Sequence, residues 1–428
     1  MTSRSDCERL DAGDALASLR ELFDLPAGLI YLDGNSLGAL PRSTPARVRE
    51  AITREWGGEL IRAWNSAGWI DLPQRIGNKI ARLVGAGDGE LIVADSTSVN
   101  MYKVLCAALE LAGSAVHGRR VILSERQNFP TDLYVAQGLA RERGLELRLV
   151  DADGVVAQLR DDVAVLMLTH VNYRSGRIHP MRQINVAAQA AGVLTVWDLA
   201  HSAGAVQVDL KGDGTTGSAA DFAVGCGYKY LNGGPGAPAF LWVHPALLAR
   251  MDATQVWPKL PGWLGHAAPF EFSPDYRPAA GIGRFNCGTP PVLSLVALEC
   301  GVDTVLAAEA FGGMPALRRK SLALTELMIA LVAERCGDFG FELRTPRDPD
   351  LRGSQVSLAR AEGSYPIMQA LIARGVIGDF RAPDVLRFGM TPLYTRFTDI
   401  WDAVDALRAV MSSEVWREPR FGQRSVVT

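Results

Sequence analysis

The sequence lacks three features that would assign it to a broad class of protein. It has no run of about 18 or more apolar residues, the length that a membrane-spanning helix requires. Its first residues carry no apolar signal-peptide core. Its net charge is −3 at pH 7, so no excess of basic residues favours nucleic acid or an anionic membrane. We therefore expect a cytoplasmic protein with neither of these partners.

Cysteine is scarce and scattered, with six residues in a chain of 428. No two cysteines form a Cys-x-x-Cys pair, and no group of cysteines and histidines has the spacing of a zinc site. Cys106 and Cys226 lie in apolar stretches, where a small core residue is the simplest interpretation. We expect no metal site, and the cysteine pattern fits a reducing cytoplasm.

The sequence does contain a regular alternation of helical and β-rich segments. Hydrophobic residues make up 48% of the chain, enough for a large core divided over two or three structural units. Between about residues 75 and 265, helical segments alternate with short β-rich runs at 91–94, 120–123, 146–150, 164–168, 193–197, 222–225 and 239–243. This alternation predicts an α/β fold with a mostly parallel sheet.

The other segments indicate how the chain is divided. We expect a mobile N-terminal segment and then a short helix over 14–24, and we assign residues 1–60 to an arm and part of a small domain. Residues 61–290 form the large cofactor-binding domain in this interpretation, and its last part, 253–290, is a long functional loop rich in Pro, Gly and aromatic residues. Residues 291–428 form the rest of the smaller α+β domain.

Two residues at strand ends carry the strongest chemical signal. Asp198 ends the apolar run 193–197, and Lys229 follows the run 221–226 in a glycine-rich segment. Ligands collect beyond the carboxyl ends of parallel strands. Pyridoxal phosphate (PLP) requires a lysine that forms a Schiff base and a carboxylate that pairs with the protonated pyridine nitrogen. Either residue alone is as well explained by a helix cap or a surface lysine, but the two together favour a PLP site.

Other polar and aromatic residues follow strands in the same way. Thr97 and Ser98 open a helix, where their hydroxyls and the free backbone N–H groups form either a phosphate site or an ordinary N-cap. Phe129 can stack on a pyridine ring and Asp132 can reach the polar edge of that ring. The alternative for this segment is a proline turn with a core phenylalanine.

Three more residues are candidates for contacts with a cofactor or a substrate. Thr169 ends the run 164–168 and can reach a cofactor oxygen. His201 lies three residues after Asp198 and can contact the ring or its phosphate, although a buried histidine bonded to backbone would have the same sequence context. Arg387 lies on a predicted strand of the tail and can grip an α-carboxylate through two parallel hydrogen bonds, with a surface ion pair as the alternative.

Five motifs together resemble those of the kynureninase family, over about residues 28–396. They are YLDGNSLG at 31–38, NFPTD at 128–132, WDLAHS at 197–202, YKYLN at 228–232 and GWLGH at 262–266. The resemblance implies the fold type I of PLP-dependent transferases, in the class V group. It also implies hydrolysis of L-kynurenine, or of 3-hydroxy-L-kynurenine, to the corresponding anthranilate and L-alanine in tryptophan degradation.

The resemblance further implies roles for individual residues. The catalytic residues would be Lys229, Asp198 and Tyr228, the last as general acid or base. The substrate-binding residues would be Asn35, Ser36 and Arg387. The cofactor-binding residues would be Thr97, Ser98, Phe129, Asp132, Thr169, Asp198, His201, Tyr228, Lys229, Trp263 and Thr289. Trp263 would reach in from the neighbouring subunit of a homodimer with shared active sites.

Two other kinds of function remain open at this stage. The first is another class V PLP enzyme, an aminotransferase or a cysteine desulfurase. A desulfurase needs a cysteine on a mobile loop, and only Cys7 and Cys287 are expected outside strands and helices. The second is a non-catalytic PLP-fold or nucleotide-binding protein. Lys229 argues against it, and the sequence has no glycine-rich dinucleotide fingerprint.

Overall fold

A large mixed sheet forms the centre of the molecule. The computed structural model describes residues 2–115 and 118–424. The strands are β1 (Ile30–Tyr31), β2 (Leu91–Val93), β3 (Val121–Glu125), β4 (Glu146–Val150), β5 (Val163–Thr169), β6 (Leu194–Asp198), β7 (Phe222–Gly225), β8 (Phe240–Val243), β9 (Glu342–Leu343), β10 (Gln355–Ala359), β11 (Val376–Ile377), β12 (Asp379–Arg381) and β13 (Val385–Gly389). The large sheet has the order β2-β8-β7-β6-β5-β3-β4. Strand β8 runs antiparallel to β2 and β7 while the other pairs are parallel, which confirms the predicted α/β fold.

Helices cover both faces of this sheet. The helices of the described residues, some of which pack on a second sheet, are α1 (Arg4–Ala12), α2 (Thr44–Glu50), α3 (Ala63–Ser66), α4 (Leu72–Val84), α5 (Thr97–Ala115), α6 (Pro130–Arg143), α7 (Met181–Ala190), α8 (Pro245–Thr254), α9 (Val292–Leu306), α10 (Gly313–Arg335), α11 (Ser364–Ile372), α12 (Phe397–Ser412) and α13 (Pro419–Gly422). A π-helix, Ala51–Glu59, continues α2. Strand β5 is apolar from Val163 to Leu168 because both of its faces are buried, with Leu166 in the core on the α4 side and Val165 in the core on the α5 side. Across residues 2–115 and 118–424, none of the helices is both long and apolar enough to cross a membrane.

A second core lies outside the large sheet. Strands β12, β13, β10 and β9 form an antiparallel sheet in that order, and β1 pairs in parallel with β11. The core on this sheet combines Cys7 and Leu32 with residues of α10, α11 and α12. The N-terminal residues therefore pack with the C-terminal part of the chain. The domain boundaries at residues 60 and 290 stay predictions.

The N-terminus is more ordered than its sequence suggested. The expectation of a mobile segment before residue 14 is wrong, because Arg4–Ala12 is an α-helix with a capping box formed by Ser3 and Asp6. The side chain of Asp11 accepts from the backbone N–H of Phe397 at 2.6 Å, which ties α1 to the start of α12. Within the expected helix over 14–24, the structure has a 3₁₀ helix, Ala17–Leu22.

Helix α4 approaches strand β2 so closely that position 77 has no room for a side chain. A Cβ on Gly77 would overlap the carbonyl oxygen of Leu91. We expect Gly77→Ala to lower the free energy of unfolding by about 1–3 kcal/mol, because overpacking forces the helix off the sheet. The control is Gly138→Ala in α6, where a Cβ meets nothing within 4 Å. This variant should stabilise the helix by about 0.5–1 kcal/mol. Denaturant titration measures both variants, and equal midpoints would contradict this account.

Candidate active site

The carboxyl ends of neighbouring strands bring the predicted residues together. Thr169 ends β5 and Asp198 ends β6, and the register of these strands places the two residues side by side. Phe129 and Asp132 lie at the start of α6, after β3, and Lys229 follows β7. Because β3, β5, β6 and β7 run in the same direction, these residues share one edge of the sheet.

Asp132 and Asp198 form a buried pair of carboxyl groups. Both are 2% exposed, and the backbone N–H of Ala200 donates to Asp198 Oδ1 at 2.7 Å. Thr169 Oγ1 lies 3.4 Å from Asp132 Oδ2. Burial and then the charge of Asp198 raise the pKa of Asp132, and burial also raises the pKa of Asp198 against the opposing charge of Lys229. Both shifts favour retention of a proton by the pair, and a cationic ring nitrogen would stabilise its negative charge.

Lys229 lies at the centre of this arrangement. It is 8% exposed, and its Nζ lies 3.2 Å from His201 Nε2 and 5.8 Å from the ring centroid of Phe129. Burial lowers the pKa of Lys229, which favours the neutral amine that attacks an aldehyde. Burial and then the charge of Lys229 lower the pKa of His201. A backbone hydrogen bond with Asn35 acts in the opposite direction on the pKa of His201.

A cavity of about 400 Å³ lies at the N-terminus of α5. Its lining includes Ser96, Thr97, Tyr228 and Thr289, so one chain brings Thr97 and Thr289 to the same cavity. Free backbone N–H groups and the helix dipole at this terminus favour an anion. Ser98 is exposed and is not part of the lining. Of the two predicted phosphate ligands in α5, the structure therefore brings Thr97 but not Ser98 to the cavity.

Arg387 is 1% exposed, which rules out the surface ion pair as its explanation. Its Nε donates to Asp379 Oδ1 at 2.8 Å, and its Nη2 donates to the other oxygen of Asp379 and to Ser36 Oγ at 2.7 Å. Its Nη1 donates to the carbonyl oxygen of Tyr173 at 2.7 Å. Asn35, with its amide oxygen toward Arg387, accepts from Nε at 3.0 Å. The structure thus brings together the three predicted substrate-binding residues.

The turn formed by residues 33–38 packs directly on the segment that carries Lys229. The backbone N–H of Gly38 donates to the carbonyl oxygen of Tyr228 at 2.8 Å. A Cβ on Gly38 would lie only 2.5 Å from the carbonyl oxygen of Lys229. Tyr173 connects the two sides as well, because its ring meets that of Phe129 edge-on with centroids 5.3 Å apart. The arginine and the lysine therefore belong to one site.

Trp263 is a second predicted site residue that lies outside the cavity at α5 in a single chain. Its ring meets Trp64 and Phe270 edge-on, with centroids 6.4 and 6.0 Å apart. It remains 38% exposed and lines an apolar cavity with Ile61 and Phe272. In the described part of the chain, Trp263 is not among the residues that line the cavity at α5.

Three residues of the site were missed by the sequence reasoning. Asn128 accepts from the Thr169 hydroxyl and from the backbone N–H of Phe129, and so orients both. Asp379 and Arg381 alternate on β12 beside Arg387. Their i, i+2 spacing on a short strand was a usable signal, because alternate residues of a strand lie on the same face.

The described residues fit PLP as a group. They supply a buried lysine, a carboxylate for the ring nitrogen, an aromatic side chain for the ring and a cavity for the phosphate at a helix N-terminus. Across residues 2–115 and 118–424, no group of three His, Cys, Asp or Glu side chains is arranged to hold a metal ion.

Comparison with known proteins gives matches over the whole chain. The family model "Aminotransferase class-V" matches residues 30–337, and "Kynureninase C-terminal domain" matches residues 317–407. Kynureninases of Burkholderia pseudomallei and Pseudomonas fluorescens are each 52% identical to this chain, with 100% of both sequences covered.

Solved structures of lower identity share the fold. The apo structure of a cysteine desulfurase from Thermococcus onnurineus NA1 superposes with a TM-score of 0.75 at 18% identity, covering 92% of this chain and 98% of that one. A C-DES mutant with glycine covalently linked to its PLP cofactor gives 0.77 at 16% identity, with coverage of 91% and 98%. These likenesses, with the class-V family model, confirm the predicted fold.

Proposed function

Because this chain belongs to the kynureninase family, we propose that it hydrolyses L-kynurenine, or its 3-hydroxy form, to the corresponding anthranilate and L-alanine. The observation that carries this reaction is the buried Lys229 beside Asp198 at the carboxyl edge of the sheet. PLP is the cofactor, and its ring withdraws the electrons that are released at the α-carbon. The proton transfers and the binding of substrate fall to side chains of the site.

Three side chains carry the proton chemistry in this proposal. The neutral Nζ of Lys229 takes the proton from the α-carbon. Asp198 keeps the ring nitrogen protonated. Burial raises the pKa of Tyr228, so its phenol stays protonated at neutral pH and is suited to donate a proton to the β-carbon of the alanine product. Water adds to the aryl ketone, and the bond between Cβ and Cγ then breaks to release anthranilate.

Binding of the amino-acid end is assigned to the residues around Arg387. Its guanidinium, with Ser36 and Asn35, would hold the α-carboxylate and so fix which bond at the α-carbon stands perpendicular to the ring. The segment 65–69 is proposed to face the aromatic end of the substrate. Asn65 lines the apolar cavity that Trp263 also lines.

The cysteines argue against the desulfurase alternative. Cys7, expected outside helices and strands, is instead buried in α1. Cys287 is partly buried, and its Sγ donates to the carbonyl oxygen of Leu260 at 3.0 Å. The other four are buried. Five of the six cysteines are therefore buried, and only Cys287 is partly exposed, in a loop where it lines the cavity at α5. The 52% identity to kynureninases over the whole chain favours hydrolysis of kynurenine over the desulfurase reaction. All six are free thiols, which accords with the proposed cytoplasmic location.

A product assay tests the proposed function. Purified protein with added PLP is incubated with L-kynurenine or 3-hydroxy-L-kynurenine, and the aromatic product and alanine are measured by chromatography. We expect the two products in equal amounts without any oxoacid. An aminotransferase would instead consume kynurenine only when an oxoacid is supplied, and that outcome would replace the proposal.

Exposed apolar side chains support a homodimer with shared sites. Around Trp263 lie Ile61, Phe270 and Phe272, with exposed fractions of 76%, 67% and 84%, and Trp56 is 56% exposed. An apolar surface of this kind on a protein of this size marks an interface. We propose that a second copy of the chain covers it and that Trp263 completes the partner's site, as a two-fold interface allows.

Mixing two inactive variants tests whether the sites are shared. We expect Lys229→Ala chains and Trp263→Ala chains, each inactive or nearly so alone, to regain about a quarter of wild-type activity after random exchange. Half of the dimers are then mixed, and one of their two sites is intact. Steady-state turnover of L-kynurenine after exchange measures the gain.

The control mixes Lys229→Ala with Asp198→Asn chains, whose defects belong to the same subunit's site. This mixture should gain no activity, because neither site of a mixed dimer is intact. If mixed dimers isolated through two affinity tags show no gain with Trp263→Ala either, Trp263 acts in its own subunit and the shared-site model is wrong.

A further inference from the structure

Arg387 is accompanied by a second arginine in the carboxylate-binding part of the site. Arg381 Nη2 donates to Asp379 Oδ2 at 2.6 Å and to Ser36 Oγ at 3.1 Å. Asp33 lies on the same turn as Ser36, and Asn35 links it to Arg387, because the amide nitrogen of Asn35 donates to Asp33 Oδ1 at 3.2 Å while its oxygen accepts from Arg387 Nε. We call Asp33, Ser36, Asp379, Arg381 and Arg387 the guanidinium cluster. It sets two cations against two carboxyl groups.

The hydrogen bonds leave part of each arginine for a ligand. Asp379 takes the Nε–Nη2 edge of Arg387, which fixes the plane of that guanidinium. The Nη1–Nη2 edge is held only by neutral groups, the Tyr173 carbonyl and the Ser36 hydroxyl. The side chain of Arg381 is 38% exposed, and its buried Nε has no partner among the described residues. Both arginines therefore have N–H groups that an incoming carboxylate can take.

The two carboxyl groups of the cluster differ in their ionisation. Although burial opposes it, the charge of Arg387 lowers the pKa of Asp379, which therefore stays ionised. Burial and then the charge of Asp379 raise the pKa of Asp33 to about 7, against the charges of Arg387 and Arg381. Near neutral pH the cluster is thus neutral when Asp33 is ionised and carries one positive charge when Asp33 is protonated.

We propose that Arg381 is a second cation for the substrate's α-carboxylate and that Asp33 is a positioning residue that takes up a proton from solvent as this carboxylate binds. The proposal rests on the proposed function only in taking the ligand to be an α-amino acid. With Asp33 neutral, the carboxylate cancels the positive charge of the cluster. With Asp33 ionised, the same carboxylate leaves an uncompensated buried negative charge, which costs binding free energy.

The other titratable groups near Asp33 do not replace it in this role. Burial raises the pKa of Tyr31 and of Tyr394, so both phenols are neutral across the physiological range. Burial lowers the pKa of His201, so this imidazole is neutral as well. Lys229 lies in the same site, and any titration of it is shared by variants that differ only in the cluster.

The pH dependence of ligand binding tests the role of Asp33. The dissociation constant of L-alanine for the holoenzyme is read from the absorbance of bound PLP at pH 6 to 8, and therefore requires no turnover of kynurenine. The ammonium group of L-alanine must lose a proton before it bonds to PLP, which lowers the constant with rising pH in every variant, so the test is the ratio of the constant of the wild-type protein to that of Asp33→Asn. Since a group of raised pKa favours binding below that pKa, and the amide introduced by Asp33→Asn is neutral at every pH, we expect this ratio to rise about tenfold from pH 6 to 8. A ratio that does not change with pH would overturn the proposal.

The role of Arg381 is tested with a ligand pair that differs only in the carboxylate. We expect Arg381→Met to weaken L-alanine about tenfold or more and alaninamide less than about twofold, and Arg381→Lys to recover part of the loss. The control is Arg344→Met, a 49% exposed arginine that pairs with Glu342, which should leave both ligands unchanged. If Arg381→Met weakened both ligands equally, Arg381 would have only a structural role.

A failure of this test is distinct from a failure of the proposed function. L-alanine binding that follows the expected pattern without turnover of kynurenine would leave the guanidinium cluster as a carboxylate site of an enzyme with another substrate. Turnover of kynurenine with no effect of Asp33→Asn or Arg381→Met on L-alanine would remove the cluster proposal alone.

Discussion

Replacing Lys229 with alanine is expected to lower kcat for L-kynurenine by about four orders of magnitude or more, the scale on which loss of a catalytic nucleophile or base acts. The variant loses both the covalent link to the cofactor and the amine that takes the proton from the α-carbon. It should still bind PLP, because the cavity at α5 and the Asp132–Asp198 pair do not depend on the lysine. Stopped assays with long incubation measure the residual rate.

Reduction of the wild-type protein with borohydride gives an independent measurement. Peptide mapping should place the reduced cofactor on Lys229, and dialysis should remove PLP from Lys229→Ala after the same treatment. Lys211→Ala is the matched control, since Lys211 is an exposed lysine bonded to Glu90 and its loss should change kcat less than about twofold. A label on Lys103 or Lys320, the other buried lysines, would overturn the assignment.

Asp198→Asn is expected to lower kcat/KM by about 10²-fold, or about 3 kcal/mol of transition-state stabilisation. The amide keeps the shape of the side chain and can still accept from Ala200, but it has no charge to hold a protonated ring nitrogen. The loss should therefore appear in turnover more than in the amount of PLP bound. Steady-state kinetics and the absorbance of bound PLP separate the two effects.

Asp221 provides the comparison for this variant. It is another largely buried aspartate, bonded to Thr195 at the amino side of β7, and burial raises its pKa to about 6. Asp221→Asn should leave the kcat of the folded protein within about threefold. If Asp198→Asn behaved in the same way, another group would hold the ring nitrogen, with Asp132 the first candidate.

The part of the site around Lys229 could be predicted because its residues follow strands that are visible as short patterns in the sequence. The run at 222–225 coincides with the buried strand β7, since short apolar runs bounded by turn residues form buried strands. The run at 146–150 coincides with β4, a partly exposed strand at the edge of the sheet. Residues that follow such strands meet at one edge whenever the strands are parallel. Asp198, Thr169 and Lys229 were therefore recognisable before their distances were known.

The part of the site around Arg387, which binds the substrate's carboxylate in our proposal, could not be predicted in the same way, because it depends on pairing between distant segments. Asp379 lies opposite Arg387 through the antiparallel register of β12 and β13, and Ser36 joins them from 351 residues earlier in the chain. Nothing in the pattern of a single strand specifies its partner or register. The helix α1 was missed for a different reason, since the capping signal of Ser3 and Asp6 was present but not used.

The contact of Gly38 with the segment that carries Lys229 fixes the distance between the carboxylate-binding residues and the lysine. Main-chain atoms, rather than flexible side chains, join the turn that carries Ser36 to the loop that carries Lys229. The distance from the carboxylate to the α-carbon is the same in every α-amino acid, and the fixed separation of the two segments matches this distance. Whatever lies beyond the β-carbon meets other segments of the protein. Substitutions in those other segments can change the leaving group that is accepted. The turn at 33–38 has to keep its length and Gly38.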